Sequence, residues 1–83
     1  MKYTQETARQ LAGMIKMIDA YGRLKQAGAI YLVCQKYCPN SKDGRIALKE
    51  LRESFRRYKH FRLPKIVEEH LNLNFTSLEN MLG

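Results

Sequence analysis

The chain has no tryptophan, only two prolines and two cysteines, and no long apolar run. A membrane-spanning helix needs about 20 consecutive apolar residues, and no stretch approaches that length. The opening residues lack the apolar segment of a signal peptide. Cys34 and Cys38 on one helix would lie about 6 Å apart at their Cβ atoms, too far for an unstrained disulfide. We therefore predict no membrane span, reduced thiols and a cytoplasmic protein.

Residue patterns typical of catalysis are also missing. Only eight residues are acidic, and the adjacent pair Glu68 and Glu69 would point about 100° apart on a helix. No glycine-rich phosphate loop follows a strand pattern, and no serine or cysteine has an obvious base partner. These absences predict that the protein is not an enzyme.

Patterns that would hold a metal ion are equally weak. Cys34, Cys38, His60 and His70 do not have the spacing of a common zinc site. The segment around Gly44 resembles the second half of a calcium-binding EF-hand loop, but proline occupies its first ligand position. We expect neither a metal nor a cofactor.

The composition that remains is that of a globular protein. Of 83 residues, 45% are hydrophobic and 28% charged, which predicts one folded domain over residues 1–83 rather than a disordered chain. The spacing of apolar residues predicts an all-α fold, a compact single domain of four to five short helices.

The first half of the chain leaves its helix boundaries open. Thr4 suits the N-cap of a first helix, and Gly28 suits its end. A break at Gly22 is an alternative. The segment 29–38 favours a second helix over a strand because its length and apolar spacing fit a helix. One continuous helix from Thr4 to Cys38 also keeps the heptad spacing, but we rank it lower because it leaves less chain to cover it.

The second half has clearer boundaries. Residues 39–44 (PNSKDG) form a loop, with Asp43 as the predicted N-cap of the next helix. Pro64 would end that helix and occupy the first position of another. Thr76 and Glu79 have the spacing of a capping box that opens a last helix.

Helical periodicity also predicts which side chains are buried. Apolar residues at steps of three and four indicate the core-facing side of each helix. The predicted core consists of Leu11, Ile15, Ile18, Tyr31, Val33, Ile46, Leu48, Leu51, Phe55, Ile66, Val67, Leu71, Leu78 and Met81.

Positive charge is concentrated in the helix predicted after the loop. Residues 42–65 hold nine of the fifteen lysines and arginines against three acids, whereas residues 66–83 have three acids and no lysine or arginine. On a helical wheel the basic residues from Arg45 to Lys59 recur at steps of four and three, about 100° from an apolar stripe. The apolar stripe consists of Leu48, Leu51, Phe55 and Tyr58. The helix is therefore expected to anchor in the core and to present a row of cations beside it.

This pattern predicts a small regulatory protein that binds nucleic acid. The pattern does not distinguish DNA from RNA as the ligand. Arginine outnumbers lysine in the row, which suits bidentate contact with phosphates. Arg9, Lys16 and Arg23, seven residues apart, are possible further contacts. The predicted phosphate-contacting residues are Arg45, Lys49, Arg52, Arg56, Arg57, Lys59 and Arg62.

The last two predicted helices and the turn between them resemble the helix-turn-helix motif of DNA-binding proteins. Apolar residues occupy positions that the motif requires, and Asn72 lies in the turn. Two features differ from the motif: Glu68 stands where a small residue is usual, and residues 75–82 contain no arginine or lysine. The apolar positions are Val67, Leu71, Leu73, Leu78 and Met81.

Two other functions fit the same residues. The basic row could dock on an acidic protein surface, as in an inhibitor or adaptor of the kind that phages and mobile elements encode. A long first helix could also pair with a second copy and give a homodimer with two basic rows.

Overall fold

The computed structural model describes residues 5–83, and the described chain is entirely helical apart from its connections. The all-α prediction is therefore confirmed, with four helices. They are α1 (Gln5–Tyr37), α2 (Lys42–His60), α3 (Lys65–His70) and α4 (Phe75–Leu82). The predicted N-cap Thr4 lies outside the described residues.

The first helix is longer than predicted. Helix α1 runs without interruption for 33 residues, so the predicted end at Gly28 is wrong and Gly22 does not break it either. Gly28 faces α2, where Leu51 Cδ1 would lie 3.9 Å from an added Cβ. The packing of α1 against α2 outweighs the cost of about 1 kcal/mol that each glycine adds to a helix interior.

A tight connection turns the chain back after α1. Asn40 adopts a left-handed conformation with φ of 63°, which asparagine tolerates better than most residues. The Ser41 side chain then accepts a hydrogen bond of 3.0 Å from the backbone N–H of Gly44. Ser41 is thus the N-cap of α2, and the prediction that Asp43 caps this helix is wrong; Asp43 lies in its first turn.

The core lies between the second half of α1 and the whole of α2. Helix α1 contributes small side chains and one leucine, which leaves room for the larger side chains of α2. Tyr58 and Phe55 are the largest side chains that are fully buried. The buried cluster consists of Ala20, Leu24, Ala27, Leu51, Phe55, Tyr58 and Leu63.

The two C-terminal helices close one end of this core. Helix α3 begins at Lys65, one residue later than predicted, and Asn72 (φ 58°) turns the chain after it. Asn74 caps α4 by accepting a hydrogen bond from the backbone N–H of Ser77, so the predicted capping box at Thr76 is wrong. The Phe75 ring packs on Phe55 with ring centres 5.3 Å apart.

Much of the predicted core is exposed. Leu51 and Phe55 are buried as predicted, and Tyr31, Leu48 and Leu78 are partly buried. The other predictions are wrong because each helix has apolar residues on more sides than its neighbours in the chain cover. The exposed residues are Leu11, Ile15, Ile18, Val33, Ile46, Ile66, Val67, Leu71 and Met81.

The protein is elongated because α1 outreaches its partner. The described residues measure 53 × 21 × 19 Å. At 1.5 Å per residue, α1 is about 50 Å long and α2 only about 28 Å. The end of α2 lies near Lys16, whose Nζ is 5.7 Å from the centre of the Phe61 ring. Residues 5–15 of α1 therefore project beyond α2.

Candidate nucleic-acid interface

Helix α2 positions the predicted basic residues by anchoring its other side in the core. Leu51, Phe55 and Tyr58 recur at steps of four and three and are at most 3% exposed. Burial of each such side chain contributes roughly 1.5–3 kcal/mol. The rotation of α2 is therefore fixed, and its remaining faces are held in defined directions.

Five of the seven predicted contact residues share one exposed face of α2. They recur at steps of four and three over about 21 Å of helix, and the two interleaved acids, Glu50 and Glu53, fall outside that face. Lys59 keeps its Nζ 5.3 Å from the Phe55 ring centre. We refer to these residues as the basic face: Arg45, Lys49, Arg52, Arg56 and Lys59, all exposed.

Arg57 lies away from the basic face, on the flank of α2 that meets α1. Its Nη2 is 3.7 Å from the Asp19 carboxylate, which also pairs with Arg23 Nε at 3.0 Å. Asp19 thus partly neutralises both arginines. Arg23 and the residues seven and fourteen before it, Lys16 and Arg9, belong to this flank rather than to the basic face.

Arg62 binds the carboxylate of another residue in the same chain, Glu68. Its guanidinium donates hydrogen bonds to both carboxylate oxygens of Glu68, the shortest at 2.7 Å, and lies 3.6 Å from the centre of the Phe75 ring. Glu68 also accepts a hydrogen bond of 2.5 Å from the Tyr58 hydroxyl. We call this group the buried carboxylate site: Tyr58, Arg62 and Glu68, of which Glu68 is 2% exposed.

The charges at the buried carboxylate site are fixed by its contacts. Burial alone raises the pKa of Glu68, but the hydrogen bonds from Arg62 and Tyr58 and the positive charge of Arg62 outweigh it, so this pKa lies below 4.5. Burial, and next the hydrogen bond to Glu68, raise the pKa of Tyr58 well above 10.0. Glu68 is therefore an ionised acceptor, and Tyr58 is a neutral donor.

The lowered pKa of Glu68 predicts acid-sensitive stability. A carboxyl group whose pKa is lower in the folded than in the unfolded protein stabilises the fold above its unfolded pKa, and this contribution disappears as the pH falls through the folded pKa. We expect the free energy of unfolding, measured in urea, to fall from pH 5 towards pH 3. Glu68→Gln removes this titration, so its curve should be flatter than that of the control Glu69→Gln. Parallel curves for the two variants would contradict the assignment.

Sequence patterns did not identify the buried carboxylate site. Glu68 counted only as a departure from the helix-turn-helix motif, whereas in the structure its carboxylate joins α3 to the end of α2. Tyr58 was predicted on the apolar stripe, and Arg62 among the phosphate contacts. No spacing rule links three residues on separate segments, although an acid in an otherwise apolar position of α3 is a signal that a cation lies nearby.

A groove runs along the flank of α1 and α2 that contains Arg57. Its volume is about 400 Å³, and its floor is largely apolar. Residues of α1 from Arg23 to Cys34 line one wall, and residues of α2 from Asp43 to Ser54 line the other. Arg45 and Leu48 line a smaller depression with Tyr31 and Gln35. The basic face is thus on the opposite flank of α2 from the groove.

No helix within residues 5–83 combines the length and the apolar composition that a membrane span needs. Within residues 5–83, no group of three or more histidine, cysteine, aspartate or glutamate side chains is placed to hold a metal ion. Cys34 is half-buried and Cys38 exposed, and both thiols are free.

Comparison with known proteins identifies no relative of this chain. No protein-family model matches this chain, no curated protein is significantly similar to it, and no solved structure matches it.

Proposed function

We propose that this protein binds nucleic acid through the phosphate backbone, with the basic face of α2 as the contact surface, and acts as a small regulatory protein. The observation that carries the proposal is the alignment of five exposed cations on one helix whose rotation is fixed by the core. Along the roughly 21 Å of this face, duplex DNA carries on the order of twelve phosphates.

The surroundings of the basic face favour an anionic ligand. Three of its five residues are arginine, whose planar guanidinium contacts a phosphate with two hydrogen bonds. Cations crowded on a face that contains no acid repel one another, and a polyanion relieves that repulsion. Arg57 and Arg62 contribute less than the five, since each is already paired with a carboxylate. Helix α4 carries no arginine or lysine, so it is not a recognition helix in this proposal.

The test is binding to labelled duplex DNA, single-stranded DNA and RNA over a series of salt concentrations. Each phosphate contact with duplex DNA contributes about −0.9 to the slope of log affinity against log salt. Arg52→Ala combined with Arg56→Ala is expected to weaken binding at least tenfold and to reduce the magnitude of the slope by about 2. Fluorescence anisotropy measures both quantities.

The matched control is Arg23→Ala combined with Arg57→Ala, which removes the same charge from the opposite flank. The control should bind almost as tightly as the natural chain. Equal losses in the two double variants would mean that net charge, and not the basic face, causes binding. Absence of binding to all three nucleic acids at low salt would reject the proposal and leave docking on an acidic protein surface as the function to test.

A further inference from the structure

The side of α1 that faces away from α2 is apolar over its first half, and no other element of residues 5–83 covers it. Between Leu11 and Ile18, four large apolar side chains are 40–66% exposed. On a helical wheel they centre about 180° from Ala20 and Leu24, which face the core. We call them the outer apolar face: Leu11, Met14, Ile15 and Ile18.

The second half of α1 also leaves apolar side chains exposed. Here α2 covers the core side, but the groove between the two helices is open and has an apolar floor. Ile30 and Ile46, on opposite walls, are each 51% exposed, and Cys34 lies between them. A groove of this kind fits an apolar helix face.

One row of residues connects the two features. Met14, Ile18, Gly22, Gln26, Ile30 and Cys34 follow one another at steps of four. Such a row forms a ridge on the helix surface, and ridges of this kind fit into the grooves of a second helix when two helices pack. The ridge starts on the outer apolar face and ends in the groove.

We propose that a second copy of this chain covers both features, in a two-fold symmetric dimer in which the two α1 helices run antiparallel and cross at Gly22. In that register Met14 lies opposite Ile30 of the second copy, and Leu11 lies opposite Val33. By symmetry each copy supplies an outer apolar face and receives one, as a two-fold interface requires. Gly22 allows close approach, since an added Cβ would have no atom within 4 Å in its own chain.

Helix polarity supports the antiparallel arrangement. Antiparallel packing of the two α1 helices opposes their dipoles, whereas parallel packing would align them.

The available area is of the right order for a stable dimer. The outer apolar face, together with Ile30 and Val33, offers on the order of 600 Å² of exposed side chain per copy, close to the roughly 800 Å² per partner of a typical specific interface. Because the basic face lies on the flank of α2 away from the groove, dimerisation leaves both basic faces accessible.

The first test is sedimentation equilibrium of the natural chain and of two variants with the same substitution. Ile18→Glu places a charge in the interface, whereas Ile66→Glu changes an isoleucine that is 75% exposed on α3. The natural chain and the Ile66→Glu control are expected to be dimers at micromolar concentration. Ile18→Glu should weaken dimerisation at least a hundredfold without loss of helical circular dichroism. A natural chain that is monomeric at 200 μM, or an Ile18→Glu variant that dimerises equally well, would overturn the proposal.

The second test fixes the register and does not depend on whether Ile18→Glu folds. In a background with Cys34→Ser and Cys38→Ser, Gly22→Cys places two thiols at the crossing point, within the Cβ separation of about 4 Å that a disulfide needs. Gly13→Cys is the matched control, since Gly13 is also an exposed glycine of α1 but lies away from the axis. Mild oxidation should cross-link Gly22→Cys into a covalent dimer and leave Gly13→Cys uncross-linked. The reverse result would overturn the register.

Discussion

Replacing Glu68 by alanine is expected to lower the free energy of unfolding by about 3 kcal/mol, a large part of the stability of a domain this size. The substitution removes the acceptor of the buried Tyr58 hydroxyl, and an unsatisfied buried donor costs about 1–3 kcal/mol. It also leaves a void beside Arg62, whose guanidinium loses its three hydrogen bonds to the carboxylate. Urea denaturation at pH 7 and one fixed protein concentration measures the change.

Two further variants separate the contributions. Glu69→Ala removes the same side chain from an exposed neighbouring position and should change the stability by less than about 0.5 kcal/mol. Glu68→Gln keeps an acceptor for Tyr58 but lacks the charge opposite Arg62, so its stability should lie between those of the natural chain and Glu68→Ala. If Glu68→Ala were as stable as Glu69→Ala, the buried carboxylate site would have no role in holding α3 against α2.

Phe55→Ala is expected to destabilise the fold by about 3–5 kcal/mol, the usual cost of truncating a buried phenylalanine. Phe55 is 1% exposed and packs on Phe75, so its loss opens a cavity in the centre of the core and loosens α4. For a domain of this size each kcal/mol corresponds to about 4–8 °C in Tm. The midpoint of thermal unfolding should therefore fall by at least 12 °C.

The control for Phe55→Ala is Ile66→Ala, which truncates an apolar side chain that is 75% exposed. The control should alter Tm by only a few degrees. Circular dichroism at 222 nm follows both transitions. A small effect of Phe55→Ala would mean that the core between α1 and α2 is not packed as described.

Local patterns predicted helix α2 well because periodicity and tertiary environment agree there. The steps from Leu51 to Phe55 and Tyr58 correctly identified the buried side, and five of the seven predicted contact residues lie together on one exposed face. Prediction failed where a long-range contact decides the outcome. Gly28 continues α1 because α2 packs beside it, and Ser41 rather than Asp43 caps α2 because of where the chain turns.

The exposed isoleucines show a different limit of sequence patterns. Ile15 and Ile18 have the spacing of a buried helix face, yet each is more than 60% exposed in the part of the chain that the structure describes. Periodicity indicates that a helix side is apolar but does not specify what covers it. No spacing rule predicted the buried carboxylate site, since its three side chains come from α2, the connection after it and α3.

The hairpin of α1 and α2 also has a consequence for how the chain folds. Within residues 5–83, every buried apolar side chain lies between Ala20 and Leu63, either on two helices joined by a connection of only a few residues or, for Leu63, just after α2. When a helix packs against the next helix in the sequence, only a short loop has to close during folding. Proteins with such local contacts fold in microseconds to milliseconds. Glu68 lies on α3, outside the hairpin of α1 and α2. Until α3 packs against α2, the Tyr58 hydroxyl has no acceptor for its hydrogen bond. We therefore expect the docking of α3 to be a late folding step that follows rapid formation of the hairpin.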